Sequence, residues 1–331
     1  MTSAPVPSRR ALLLASAGAL AVPRVRAQAG RPLRLIVPFT PGGSTDILAR
    51  AIGQELTKAW GHSVIVDNVP GAGGAIGADK VAKAPGDGYT LLMGHIGTLA
   101  VNPALYPKLA YDPLKSFAPV AGVARVPNVL VVSAASPARH LAQWLALARA
   151  QPGRLSYSSG GNGSAAHIAM ESLKLAAGLF LLHIPYRGTA PSVADLIAGQ
   201  VDATFTGAPA VLPHVRSGRL RALAVSSAQR LASLPDVPTV AELGDRGEPG
   251  LRGFEADQWY GLVAPAGTPA PWLARLNAET NRLLASADLA ASLAAEGALP
   301  MPGPAEAFGA LIARELPRWR AVVRAARMQP D

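Results

Sequence analysis

The sequence predicts an α/β protein of two lobes, each a mainly parallel sheet flanked by helices. Three observations predict it. Short apolar runs alternate with segments of helical period along most of the chain. Two apolar stretches, Val120–Ser133 and Gln258–Pro265, are long enough to carry the chain from one lobe to the other. Gly-rich loops separate the end of an apolar run from the start of a helix, the arrangement of ligand-facing turns in open α/β sheets.

Each element follows from its own residues. Leu33–Phe39 is a short apolar run stopped by a Pro-Gly-Gly turn, which predicts a buried parallel strand. From Ser44, Ile47, Leu48, Ala51, Ile52 and Leu56 recur at helical period. Ser63–Val66 is a second strand. Asn68–Ala78 is a Gly-rich loop that opens a helix running to about Ala84, and Asp87-Gly88 turns the chain into strand Tyr89–Gly94. The result is a βαβαβ unit. Val120–Ser133, with Pro127 inside it, is expected to be one strand leaving this lobe. The βα units then resume. Helix His140–Ala150 precedes strand Leu155–Ser158, helix Ser164–Ala177 and strand Phe180–Pro185. Helix Ser192–Ala198, strand Val201–Phe205, helix Ala210–Ser217 and strand Leu220–Ser226 follow. A polar loop, Gly244–Gly253, leads to strand Gln258–Pro265, and the last helices begin at Pro271 and Pro304, where a missing N–H leaves no orphan donor. The expected division is residues 28–126 and 225–331 in the first lobe and 127–224 in an inserted second lobe, hinged near Pro127 and Ala224.

The N-terminus reads as an export signal. Arg9-Arg10 precede the uncharged run Ala11–Val22, and Val25-Arg26-Ala27 places small residues at the −3 and −1 positions of a cleavage site after Ala27. The arginine pair also fits a twin-arginine signal, so either export route agrees with it. The chain has no cysteine, hence no disulfide and no lipid-anchor Cys. No later segment approaches the ~20 apolar residues of a membrane span, despite a mean hydropathy of +0.23. The expectation is an unanchored, monomeric periplasmic protein. The formal charge of +10 falls to about +6 once the four arginines of the signal leave. Aromatics make up 5% and no basic run alternates with them, which disfavours nucleic acid as a partner.

Two loops carry the candidate binding chemistry. In Pro38–Asp46 (PFTPGGSTD), Gly42 and Gly43 allow close backbone approach, Ser44 is the expected N-cap, and Asp46 falls in the first turn. Phe39 and Thr45 complete this group, and the amides of Gly43, Ser44 and Thr45 are expected to face an anion. In Ser156–His167 (SYSSGGNGSAAH), Ser159, Gly160, Gly161, Asn162 and Gly163 lead to Ser164 as a cap, with His167 in the first turn. Further candidates are Thr98, Tyr186, Thr189, Asp202 and Thr206, all close to strand ends; Arg187 reads either as a partner for a second carboxylate or, as loop arginines more often are, as solvated. Asn68–Ala78 superficially resembles a dinucleotide fingerprint but lacks a suitable acid about 20 residues on. The six histidines show no metal-ligand spacing, and no Gly-x-Ser-x-Gly elbow is present. No catalytic residue, metal or cofactor is therefore expected.

Seven ordered segments make a resemblance specific: PFTPGGSTD (38–46), NVPGAGGAIGA (68–78), DGYTLLMG (87–94), SYSSGGNGSAAH (156–167), IPYRGTAPSVADLIAGQVD (184–202), PDVPTVAELG (235–244) and GLVAPAGTP (261–269). From about Pro32 to about Trp319 the chain resembles the periplasmic solute receptors of tripartite tricarboxylate transporters, the Bug receptors. The resemblance implies a type II Venus-flytrap fold that captures a small carboxylate for one large and one small membrane subunit; a sensor feeding a two-component system is the alternative. It implies a carboxylate held by Gly42, Gly43, Ser44 and Thr45 on one side and by Gly160, Asn162, Gly163 and Ser164 on the other, with Thr189 and Asp202 near the variable end.

Overall fold

The computed structural model describes residues 30–61 and 63–330; the expected signal segment lies outside them. Strands β1 (Leu33–Val37), β2 (Val64–Asn68), β3 (Thr90–His95) and β4 (Phe117–Val126) come first. After Pro127 follow β5 (Asn128–Ser133), β6 (Ser156–Ser159), β7 (Leu182–Pro185), β8 (Ala203–Gly207) and β9 (Leu220–Val225). Strands β10 (Gln258–Pro265) and β11 (Leu299–Pro300) complete the set.

They form two sheets, one of order β11-β4-β10-β3-β1-β2 and one of order β7-β6-β8-β5-β9. Both are mixed. Strands β1, β2 and β3 pair parallel, as do β7, β6 and β8. The strands next to the crossings, β4 and β10 in one sheet and β5 in the other, pair antiparallel. The expected mainly parallel sheets are thus only half right, because a strand that has just crossed from the other lobe runs against the βα units it joins. Val120–Ser133 is also two strands in two sheets, broken where Pro127 has no N–H to offer a ladder.

Side chains alternate between two cores in each lobe, as a period of two dictates. Leu35 and Val37 enter one core and Ile36 the other; Leu130 and Val132 oppose Val129 and Val131 in the same way. Helix Ser44–Trp60 buries Leu48, Ile52 and Leu56, one residue per turn, and stops at Gly61, whose φ of 64° completes a left-handed C-cap. Each of these side chains contributes roughly 1.5–3 kcal/mol by leaving water.

The return to the first lobe was expected near residue 225. In the structure Ala224 sits mid-strand, opposite Leu130. Residues beyond it stay with the second lobe: Val225 bridges Thr239, and Val240, Leu251 and Ala256 join the second-lobe core. The apolar burial of these residues outweighs the polar look of the Gly244–Gly253 loop, and the second crossing lies at Asp257.

Candidate functional site

The carboxyl ends of β1, β6, β7 and β8 all open on one cleft, and each is followed by a helix. At the first, Gly42 turns the chain with φ 85° and Gly43 is the N-cap (φ −86°, ψ 167°). Ser44, expected at the cap, is instead the first helical residue. The amides of Ser44 and Thr45 have no acceptor one turn back and none elsewhere among the described residues. Asp46 is buried and fully engaged in shaping the loop. Its Oδ2 accepts from Gly42 N and Arg50 Nε, both at 3.0 Å, and its Oδ1 accepts from Asn68 Nδ2 at 3.0 Å. Burial works to raise its pKa, but Arg50, the Gly42 amide and Asn68 outweigh that and hold it below the ordinary value.

At the second helix, Ser164 caps as expected: its Oγ accepts from His167 N at 3.4 Å. The amides of Ala165 and Ala166 are left without acceptors among the described residues. The loop rests on a buried aromatic stack. His167 Nδ1 accepts from Gly163 N at 3.1 Å, and its ring lies 4.0 Å from that of His183, which stacks on Tyr157 at 4.7 Å. Ser159 Oγ pairs with His183 Nε2 at 2.7 Å and accepts from Gly161 N at 3.2 Å. Burial first, and the positive Lys174 nearby, push His183 down to about 4; burial, His183 and Lys174 push His167 down to about 2. Both rings are neutral at neutral pH, which keeps the Nδ1 lone pair that Gly163 needs.

The two helix ends meet in a narrow pocket of about 20 Å³, room for one water-sized group. Phe39, Gly43, Ser44, Thr45, His95, Ser164, Ala165, Ala166, Thr189, Thr206, Gln258 and Tyr260 line it. None carries a formal charge, since burial pushes His95 down to about 4. Thr98 N donates to His95 Nδ1 at 3.1 Å, which fixes the tautomer and leaves Nε2–H as the ring's donor. Beyond Phe39, which borders both spaces, an outer chamber of about 700 Å³ opens between Pro70–Gly74 and Pro185–Gly188. Arg187 is its one charged lining residue, exposed and without an ion pair among the described residues. The seam between the lobes is too tight for side chains at several glycines, among them Gly188, Gly73 and Gly207. A Cβ on Gly188 would lie 1.8 Å from Thr40 Oγ1, on Gly73 2.4 Å from Asn162 O, and on Gly207 2.5 Å from Ser44 Oγ.

Of the sequence candidates, Phe39, Gly43, Ser44, Thr45, Ser164, Thr189 and Thr206 line the narrow pocket, and Gly160 and Tyr186 line the chamber. Tyr186 donates its hydroxyl to Asp195 at 2.6 Å. Gly42, Asp46, Thr98, Ser159, Gly163 and His167 stand behind the lining and hold it; Asn162 abuts Gly73 across the seam. Asp202 lies elsewhere. It accepts from Ser156 N at 2.7 Å and Ser156 Oγ at 2.9 Å, at the opposite end of the strands. Four residues at ~3.3 Å each put it about 13 Å from Thr206. His95, Ala165, Ala166, Gln258 and Tyr260 went unforeseen. Gln258 and Tyr260 do carry a signal: two polar-tipped residues on one face of an otherwise apolar strand.

The model of the tripartite tricarboxylate transporter family receptor matches residues 48–328. Protein BugT of Bordetella pertussis is 40% identical over 95% of this chain and 94% of its own length. Among solved structures, Rpa4515 of R. palustris with adipate is 37% identical, with a TM-score of 0.87 over 91% of this chain and 99% of that one. MatC of Rhodopseudomonas palustris with bound malate is 35% identical, with a TM-score of 0.82 over 88% of this chain and 99% of that one. Two mixed sheets around a cleft, the family match and these likenesses agree: the chain belongs to the tripartite tricarboxylate transporter receptor family of periplasmic solute-binding proteins.

Proposed function

We propose that this receptor captures a small carboxylate, its head group against the narrow pocket and the rest in the adjoining chamber, and delivers it to a large and a small membrane subunit of a secondary transporter. The carrying observation is the convergence of two helix N-termini, with free amides at Ser44, Thr45, Ala165 and Ala166, on a pocket with no charged side chain. Helix N-termini carry partial positive charge and hold their amides fixed, so they recognise an anion without a cationic side chain. The hydroxyls of Ser44, Thr45, Thr189 and Thr206 add neutral donors. The related structures hold adipate and malate, both small carboxylates. The protein acts as an unanchored monomer after export. Calorimetric titration with acetate, malate, adipate, glutamate and benzoate tests the ligand class, alongside native mass spectrometry for a co-purified acid. At least one acid should bind with a micromolar or lower Kd. Absence of binding to all five, with no acid co-purified, refutes the proposal.

A further inference from the structure

We propose that Asn128 is a positioning residue that, through Gln258, ties filling of the narrow pocket to closure of the lobes. The inference rests on the function just proposed. Asn128 is the first residue after the Pro127 crossing, and Gln258 follows the second crossing at Asp257. Both are buried, at 1% and 3% exposure, in the wall between pocket and hinge. The Asn128 side chain grips the returning segment twice: its Nδ2 donates to Ala256 O at 2.6 Å, and its Oδ1 accepts from Gln258 Nε2 at 2.5 Å. Its backbone grips the segment before that. Asn128 N donates to Ser226 Oγ at 2.8 Å, Asn128 O accepts from Ser226 N at 2.9 Å, and Ser226 Oγ donates to Asp257 Oδ1 at 2.5 Å.

Asn128 thus fastens the two crossing segments in the arrangement seen here. Gln258 also reaches the ligand side. It lines the narrow pocket, its Oε1 accepts from the Tyr260 hydroxyl, and Tyr260 lines the pocket beside it. One hydrogen of Gln258 Nε2 is used by Asn128, and the other has no acceptor among the described residues. An amide oriented at three corners by Tyr260, Asn128 and a ligand oxygen is fixed more firmly than one oriented at two. Hydrogen bonds in a buried chain also strengthen one another. The arrangement seen here leaves Gln258 no slack: Gly207 of the second lobe fits against Gln258 Nε2 and Ser44 Oγ with no room for a Cβ. Ligand oxygen, Gln258, Asn128 and the Ala256 carbonyl therefore form one line from pocket to hinge.

Asn128 does not line the pocket, so its replacement removes no ligand-facing group and acts only by releasing the Gln258 amide it holds. The test uses Asn128→Leu and Asn128→Asp in the full exported protein, with whichever of the five acids binds wild type most tightly. Asn128→Asp keeps the acceptor for Gln258 and loses the donor to Ala256. Calorimetry reads affinity, small-angle scattering reads the radius of gyration with and without saturating acid, and thermal unfolding checks the fold. The expected result is a loss of affinity of at least tenfold in Asn128→Leu and less in Asn128→Asp. The leucine variant should also show a radius of gyration that shrinks less at saturation than in wild type. A folded leucine variant that binds and closes as wild type does overturns the inference. If the leucine variant does not fold, the aspartate variant decides: wild-type affinity and closure there overturn it equally. A wild type that binds none of the acids refutes the proposed function and not the hinge coupling specifically.

Discussion

The two Gly-rich loops that meet at the narrow pocket present the same thing, free amides at a helix start, but they are held by opposite chemistry. The first-lobe loop hangs on a carboxylate: Asp46 gathers Gly42, Arg50 and Asn68. The second-lobe loop rests on neutral rings and hydroxyls: His167 takes the Gly163 amide, and His183 with Ser159 takes that of Gly161. One support depends on keeping a charge, the other on refusing one. An equivalent surface can thus be built by either route, and the difference shows only when pH or a side chain behind the surface is changed.

The largest expected effect comes from filling the surface itself. Gly43→Val should remove measurable carboxylate binding, because Gly43 lines the narrow pocket, a Cβ there lies 3.4 Å from Thr189, and the branched γ-carbons add bulk to a space of about 20 Å³. Calorimetry showing affinity within tenfold of wild type would break the idea that the two loops work as a pair.

Acid should separate the loops. His183 has a folded pKa of about 4 against an ordinary 6.5, so below 6.5 the unfolded chain takes up a proton that the native state refuses. The stability it contributes is present above pH 6.5 and is lost as pH falls through 4, by at most roughly 3 kcal/mol. Asp46 behaves otherwise. Its lowered pKa means its contribution is present above 3.8 and fails only below that. Hydrogen exchange at pH 5 should therefore show the Gly161 and Gly163 amides opening faster than at pH 7, relative to Gly42, once corrected for intrinsic exchange. Equal change at both loops would contradict the comparison.

Removing one support should cost less. His167→Leu leaves Gly163 N without its acceptor in a buried place, about 1–3 kcal/mol of stability, and should weaken binding about tenfold. His167→Asn, whose Oδ1 can stand where Nδ1 stood, should recover part of the affinity. Thermal unfolding and titration of both variants give the answer. Smallest of all is Arg187→Ala, which should keep a monocarboxylate within about tenfold, or ~1.4 kcal/mol, because the guanidinium borders the outer chamber and not the narrow pocket. A larger loss with acetate would mean the ion pair, not the amides, holds the head group.

Much of this was legible in the chain because it was local. The Ser164 cap, the αβ alternation and the first-turn place of Asp46 are written within a few residues of one another. What failed was long-range. Whether residues 226–256 return to the first lobe depends on where Val240 and Leu251 find a core, and no spacing records that. Asp202 follows a turn as a binding residue would, yet it sits at the wrong end of its strand. His95 reaches the pocket from a strand of apolar neighbours that mask it, whereas Gln258 and Tyr260 stand out only once the alternating faces of their strand are read separately. Ala165 and Ala166 contribute only backbone, which no side-chain pattern can reveal.

That last feature bears on how such a receptor can acquire new ligands. A backbone amide survives nearly every point mutation, since only proline removes it. If the acid head is held as proposed, that grip is insulated from drift, provided the glycines remain. Ile76, Tyr186 and Arg187, which border the wide chamber and not the narrow pocket, carry no such protection. Single substitutions there can retune what lies beyond the carboxylate while the anchor stays put, so a lineage can sample new substrates one residue at a time without ever passing through a form that binds nothing.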